Sequence, residues 1–282
     1  MSKQSLKVLV TGASGQLGQC IQQAAVDFGY EMYYADRKAL DITDAESLRR
    51  SLQNFHPDVI INTAAYTHVD LAESKQENAY LINRDGVENL IAFCEEFNVK
   101  LIHISTDYVF KGLETKPYSV DANTIPTTVY GASKLAGEQV ILQSDIGAYW
   151  IIRTSWLYSE FGKNFYKTIQ NLAGKLDTLR VVNDQIGSPT RAEEFAFFLL
   201  KCLPQLTSSS KGIYHFSNTG SCTWFDFAKA IVEKHNLKSK VIAVTSAEFP
   251  TAAVRPAYSV LDASKISDTF GFKIKNWREG LG

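Results

Sequence analysis

Three side chains in this sequence have the types and spacing for proton and hydride chemistry: Thr106, Tyr130 and Lys134, downstream of a glycine-spaced turn at Gly12-x-x-Gly15-x-x-Gly18. Tyr130-Gly-Ala-Ser-Lys134 opens a segment of helical composition, YGASKLAGEQVILQ. Residues four apart on a helix share a face about 6 Å apart along the axis, so a lysine ammonium there can lie near the phenol. Bringing a tyrosine from about 10 to about 7 takes roughly 4 kcal/mol of preferential phenolate stabilisation. One cation in a poorly solvated cleft, together with an oxidised nicotinamide, is a source of that stabilisation. A tyrosine and a lysine at this spacing also occur by chance on amphipathic helices. The threonine 24 residues earlier and the glycine turn set this pair apart.

Such a site needs a cofactor cradle. In Leu6-Lys-Val-Leu-Val-Thr-Gly-Ala-Ser-Gly-Gln-Leu-Gly18 an apolar strand candidate runs directly into glycine and then into a helix, the context that dinucleotide binding demands. Gly12 allows the tight turn, Gly15 lets the backbone approach a pyrophosphate, and Gly18 allows close helix packing. Gln16 and Leu17 then sit at the helix N-terminus, whose free amides and partial positive charge favour phosphate. Asp36 closes the next strand, where a carboxylate bonds ribose hydroxyls, while Arg37 beside it favours a 2′-phosphate. NADPH is the expected cofactor, with NADH also admissible. Asp41 and Ile42 are placed to bracket the adenine. Ala64, Ala65 and Tyr66, in Asn62-Thr-Ala-Ala-Tyr-Thr67, let a cofactor pass close over a strand end, although a tightly packed strand end reads equally well on local grounds.

The elements that position these groups follow from periodicity. Leu6–Val10, Met32–Ala35, Val59–Asn62, Leu101–Ser105 and Trp150–Thr154 are short apolar runs. Between them lie a helix after the glycine turn closing at Gly29, and helices at Asp44–Asn54, Arg84–Phe97 and Tyr130–Ser144. That rhythm predicts an α/β fold, a Rossmann-type doubly wound parallel sheet. After about residue 155 the alternation fades into helices near Asn164–Ala173, Ala192–Leu203 and Trp224–Lys234, with strands near Leu179–Val182, Ile213–Phe216 and Val241–Val244. The expected division is a dinucleotide-binding domain over 1–155 and a smaller C-terminal α/β substrate-binding region over 156–282, with segments free to return to the main sheet. Thr207-Ser-Ser-Ser-Lys211 reads as a surface loop.

Bulk properties exclude other classes. With 29 basic and 30 acidic side chains in 282 residues, no general field recruits nucleic acid or anionic membrane. The four cysteines, Cys20, Cys94, Cys202 and Cys222, form no C-x-x-C pair, so neither zinc nor a disulfide framework is indicated. The stretch MSKQSLKVLVTG has too short an apolar run for a signal peptide, and no segment approaches the roughly 20 apolar residues of a membrane span. A cytoplasmic location is the default expectation.

Taken together, GASGQLG, PDVIINTAAYTHVD, HISTDYVFKG, YGASKLAGE, RTSWLY, VVNDQIGSPT, GIYHFSN and AVRPAYSVL resemble the extended short-chain dehydrogenases, and within them the dTDP-4-dehydrorhamnose reductase family; the G-x-x-G-x-x-G spacing is a variant associated with that superfamily. The resemblance implies NAD(P)H-dependent reduction of the C4 ketone of dTDP-4-dehydro-L-rhamnose, in nucleotide-sugar and polysaccharide biosynthesis. It gives Thr106 the place of the usual catalytic serine, Tyr130 the proton, and Lys134 the nicotinamide ribose. Asp107 is placed to touch a sugar hydroxyl or to organise the following turn. Trp156 is expected at one wall of the sugar pocket, Arg255 at the substrate diphosphate, and Asn164 with the Gly187-Ser-Pro-Thr190 loop on the nucleotide side. His68 is assigned no chemistry. Some members join subunits through magnesium held by glutamates; Glu193 matches one such position, but Cys20 stands at another, a thiol is a poor magnesium ligand, and no third ligand is evident before Gly282. A metal bridge is therefore doubtful, and the chain is expected as a monomer or homodimer. Competing readings are another nucleotide-sugar epimerase or reductase, a dehydratase, which the Thr106-Asp107-Tyr108 sequence disfavours, and a non-catalytic subunit resembling the partner of methionine adenosyltransferase.

Overall fold

The apolar runs become the centre of a parallel sheet because each is buried on both faces. β1 (Lys7–Thr11) leads through α1 (Gln16–Ala24) to β2 (Glu31–Ala35), and α2 (Ala45–Phe55) leads to β3 (Val59–Asn62). Two short helices, α3 (Val69–Ala72) and α4 (Gln76–Tyr80), a π turn over Leu81–Asp85 and α5 (Gly86–Phe97) precede β4 (Lys100–Thr106). α6 (Val129–Gln143) then precedes β5 (Tyr149–Thr154). The second half runs through β6 (Leu157–Tyr158), α7 (Phe165–Ala173), β7 (Thr178–Val182), β8 (Ile186–Gly187), β9 (Thr190–Arg191), α8 (Ala192–Cys202), β10 (Gly212–Phe216), β11 (Cys222–Thr223), α9 (Trp224–Lys234), β12 (Lys240–Val244), α10 (Ser264–Phe270) and α11 (Trp277–Leu281). The coordinates are a computed structural model that describes residues 5–281. Residues 1–4 and 282, at the ends of the N-terminal stretch and of the C-terminal region, lie outside the described residues.

The main sheet has the order β10-β5-β4-β3-β1-β2, and its pairings are parallel. Continuous apolar strands such as Val59–Asn62 suit this position, since helices cover both faces. On one face Leu17 and Ile21 of α1, Phe195, Phe198 and Leu199 of α8, and Ile266 and Phe270 of α10 pack with Val8, Val10, Ile61, Trp150 and Ile152. On the other, Leu48 and Leu52 of α2, Leu90 and Phe93 of α5, and Ile141 of α6 pack with Leu9, Ile60, Leu101 and Ile151. A separate core joins α7, α9 and α11 to β7, which pairs in parallel with β12. β10, α8 and α10 thus belong to the main sheet and its cover, while α7, α9, α11, β7 and β12 form the smaller lobe.

Several boundaries differ from expectation for local reasons. α1 ends at Ala24 with one further 3₁₀ turn through Asp27, short of Gly29. The helix expected from Arg84 begins at Gly86, after the π turn. Asn83 in that turn is buried and bonds the backbone of Tyr66 and the Ser133 hydroxyl, a use consistent with π turns at functional sites. α3, α4, α10 and α11 are too short to show a helical period. The four cysteines are free and buried.

α6 carries two of the three chemistry-bearing side chains, Tyr130 and Lys134. Thr128 caps it, its hydroxyl accepting from the Gly131 amide at 3.1 Å. Gly131 then lets the helix approach the end of β4: a Cβ there would stand 2.1 Å from the Tyr108 carbonyl oxygen. Replacing Gly131 by alanine must push α6 from the sheet, and overpacking of this kind costs about 1–3 kcal/mol. A thermal melt of Gly131→Ala is expected to fall by several degrees; an unchanged melting temperature would show that the contact is not a constraint.

Candidate active site

At the C-terminal edge of the sheet lies a cavity of about 860 Å³, lined by Gly12, Gly15, Gln16, Leu17, Arg37, Asp41, Ile42, Ala64 and Ala65 together with Thr106, Asp107, Tyr130, Lys134 and Trp156. The edge is where open parallel sheets bind ligands. Gly12 takes φ +64°, and a side chain there would meet the Ala64 amide at 2.7 Å. α1 begins after Gly15 with no side-chain cap and no acidic residue in its first turn, so its leading amides are left for an anion. This cradle fits a dinucleotide pyrophosphate.

Five expected site residues stand elsewhere. Gly18 lies behind the wall, where a Cβ would be 2.6 Å from Ala13 Cα; it serves packing. Asp36 does not line the cavity; its Oδ1 accepts from the Lys38 and Ala39 amides and closes its own turn. Tyr66 also lies off the lining, its backbone held by Asn83. Asn164 caps α7 and donates to Gln16 Oε1 at 2.6 Å, so it steadies the cradle from behind. Arg255 is paired with Asp70 at 2.6 and 3.1 Å, and that bond holds the Asp70 carboxyl below its ordinary range. As a diphosphate ligand Arg255 would first have to leave this partner. Lys163, an exposed cation not anticipated from the sequence, lines the cavity instead. His68 is exposed on the lining, edge-on to Tyr66.

The three chemistry-bearing residues come from two elements, Thr106 from the end of β4 and Tyr130 with Lys134 from α6. Thr106 donates to Asp107 at 2.9 Å and accepts from the Tyr108 amide at 3.2 Å. The ring of Tyr130 is half-buried, but its oxygen sits in dense surroundings; that burial raises the phenol to about 12, against the opposing pull of the nearby Thr106 hydroxyl. The tyrosine is therefore a neutral donor in the ligand-free protein; the expected lowering toward neutrality depends on an oxidised nicotinamide as well as on the lysine. Lys134 is buried, and its ammonium is lowered to about 8 by burial, with Glu138 pulling upward. Its nitrogen donates to the Ile104 carbonyl at 2.7 Å and lies 3.1 Å from His103 Nε2. Glu138 itself receives Arg153 through Nε and Nη2 at 2.9 and 2.7 Å, and the Ser105 hydroxyl. That buried pair fixes α6 to β5 and β4.

Trp156 stands at φ +48°, a strained conformation for a bulky residue that surrounding structure must enforce. Trp224 stacks on it, with ring centroids 3.4 Å apart and planes 7° apart. A Cβ on Gly187 would lie 2.4 Å from the indole, so the Gly187–Thr190 loop acts through the tryptophan. His103 and Asn62, which join Lys134 from below, were visible in sequence only as polar residues inside apolar strands. Outside the cavity Glu193 sits 3.4 Å from Arg191, while Cys20 is buried with its thiol pushed up to about 12. Among the described residues no three His, Cys, Asp or Glu side chains are grouped to hold a metal, and no helix is long and apolar enough to cross a membrane.

Comparison with known proteins covers nearly the whole chain. The family profile described as RmlD substrate binding domain matches residues 6–282. The spore coat polysaccharide biosynthesis protein SpsK of Bacillus subtilis strain 168 is 42% identical over 98% of this chain and 95% of its own length. The dTDP-4-dehydrorhamnose reductase of Aggregatibacter actinomycetemcomitans is 40% identical, over 98% of this chain and 97% of its own. Among solved structures, the dTDP-4-dehydrorhamnose reductase of Bacillus anthracis strain Ames in complex with NADP superposes with TM-score 0.94 at 41% identity, covering 98% of this chain and 97% of that one.

Asp107 gives this site a pH signature. Burial raises its carboxyl from 3.8 to about 6, against hydrogen bonds from Thr106 and neighbouring groups, and Oδ2 has no hydrogen-bond partner. Because the folded state holds the proton more tightly than the unfolded chain, stability from this group is present below 3.8 and is lost as pH rises through 6; the ionised group costs about 3 kcal/mol. Asp107→Asn is expected to gain on wild type by about 2 kcal/mol between pH 4 and pH 8 in denaturant unfolding. A pH-independent difference would show that Asp107 ionises freely.

Proposed function

The chain is a member of the dTDP-4-dehydrorhamnose reductase family, and from that premise we propose that it reduces the C4 ketone of dTDP-4-dehydro-L-rhamnose to dTDP-L-rhamnose with NADPH. The observation that carries this reading is the meeting of Thr106, Tyr130 and Lys134 with the uncapped α1 cradle in one cavity. When bound, the nicotinamide supplies hydride to the ketone carbon. Negative charge then grows on the ketone oxygen, and Tyr130 delivers the compensating proton from its hydroxyl. A phenol held near 12 by burial stays protonated at neutral pH, yet remains a stronger acid than the alcohol it creates. Thr106 hydrogen-bonds the same oxygen and stabilises the developing charge. Lys134, as an ammonium, binds the nicotinamide ribose and stabilises the tyrosinate left behind. Trp156 walls the sugar, and Asp107 meets a sugar hydroxyl through its unpartnered Oδ2.

NADPH is favoured over NADH by two side chains. Asp36 is committed to its own turn, whereas Arg37 lies on the cavity lining with most of its side chain exposed, joined to Asp41 at 3.0 Å. A guanidinium there pairs with a 2′-phosphate. The family's activity on a nucleotide sugar supports the substrate class.

Purified protein mixed with NADPH and dTDP-4-dehydro-L-rhamnose is expected to oxidise one NADPH per ketone and yield dTDP-L-rhamnose. Net-neutral turnover would indicate an epimerase and overturn the proposal. Tyr130→Phe is expected to lower kcat about 10²–10⁴-fold while leaving NADPH affinity nearly intact; retained kcat removes the proton donor from the account. Arg37→Ala is expected to weaken NADPH about tenfold with little effect on NADH, the loss of one charge-assisted pair. Equal losses for both cofactors would count against 2′-phosphate recognition.

A further inference from the structure

Beneath the cavity runs a chain of buried polar groups, of which the proposed chemistry uses only Lys134 at its upper end. Thr11, Asn62, His103 and Lys134 are each at most 2% exposed and come from β1, β3, β4 and α6. The Asn62 amide oxygen accepts from the Ala64 amide at 3.2 Å and from the Thr11 hydroxyl at 2.7 Å. Its amide nitrogen must therefore face His103 Nδ1, 3.0 Å away. Turning the amide over would set N–H against N–H at Ala64, costing that part-buried donor its partner and the Thr11 hydroxyl its acceptor. With Nδ1 accepting, the neutral imidazole carries its proton on Nε2. That proton points at Lys134 Nζ, 3.1 Å away.

We infer that His103 is a positioning residue for the reduction, presenting an Nε2–H donor to Lys134 so that the lysine nitrogen accepts from the ring only as an amine and, once protonated, turns toward the cavity. The inference rests on the reductase reading for its purpose, since the cavity is where the ribose and the Tyr130 oxygen would take the ammonium. An ammonium has three donors and no acceptor; facing another donor, it is repelled from the ring. The other charged groups around the pair do not impose this polarity. Glu138, on the same helix and paired with Arg153 from β5, pulls Lys134 upward and so works against this polarity. β1 and β3 contribute the uncharged Thr11 and Asn62, the π turn contributes Asn83, and Tyr130 and Asp107 lie on the cavity side. Burial holds His103 well below its ordinary value, so the ring stays neutral and keeps a single proton. Lowering of Lys134 to about 8 runs in the same direction.

Two measurements on the full chain test this, and neither needs a keto-sugar, so they remain readable even if the reductase assay fails. Long-range proton–nitrogen correlation on protein labelled at histidine nitrogen is expected to show His103 protonated at Nε2 at both pH 7 and pH 9. A proton on Nδ1 at either pH overturns the proposal. NADPH dissociation constants measured against pH are expected to show an alkaline loss of affinity whose midpoint rises by about one pH unit in His103→Gln, because glutamine can turn its oxygen toward the ammonium. A folded His103→Gln with an unmoved midpoint also overturns it. If that variant does not fold, the tautomer in the wild-type protein decides.

Discussion

The close approach of α6 to the end of β4 is the constraint on which the site depends. Gly131 lets the helix touch the Tyr108 carbonyl, Lys134 bonds the Ile104 carbonyl, and Glu138 one turn later accepts from Ser105 and Arg153. Three successive turns are thereby fixed to β4, the turn that follows it and the neighbouring β5. Thr106 ends β4, so its distance from Tyr130 is set by backbone contacts rather than by side-chain flexibility. A buried ion pair such as Glu138–Arg153 is weak support for stability in itself, because desolvation offsets the attraction. Its contribution here is placement.

Electrostatics at the site follow from burial more than from neighbouring charge. Burial raises Tyr130 and Asp107, and lowers Lys134 and His103; each ionisable group is pushed toward its neutral form. For a reductase this is the useful direction at the phenol, which must hold a proton until the ketone oxygen becomes basic. An oxidised nicotinamide, left after transfer, would then favour the tyrosinate only when it is needed.

Much of the fold was legible because parallel strands buried on both faces leave short apolar runs, as in Val59–Ile61 and Trp150–Ile152. The glycine turn was legible because its three glycines have separate steric duties. What the sequence hid was side-chain partnership across the fold. Asp36, placed by the sequence as a ribose ligand, also closes its own turn through Oδ1. Arg255 looks like a free phosphate ligand but meets Asp70, 185 residues away in sequence. His103 and Asn62 read as stray polar residues in apolar strands until β3, β4 and α6 bring them into one chain. The inward turn of Asn83 depends on a π turn, which has no sequence period.

The central claim is that one oxygen is held jointly by Tyr130 and Thr106 while the cofactor faces it. A crystal structure with NADP and a non-reducible analogue of the 4-keto nucleotide sugar tests it most directly. The account predicts the C4 oxygen within hydrogen-bond reach, about 2.6–3.2 Å, of both the Tyr130 hydroxyl and Thr106 Oγ1, with the nicotinamide C4 over the ketone carbon. An analogue seated in the same cavity with that oxygen turned from Tyr130 would contradict it.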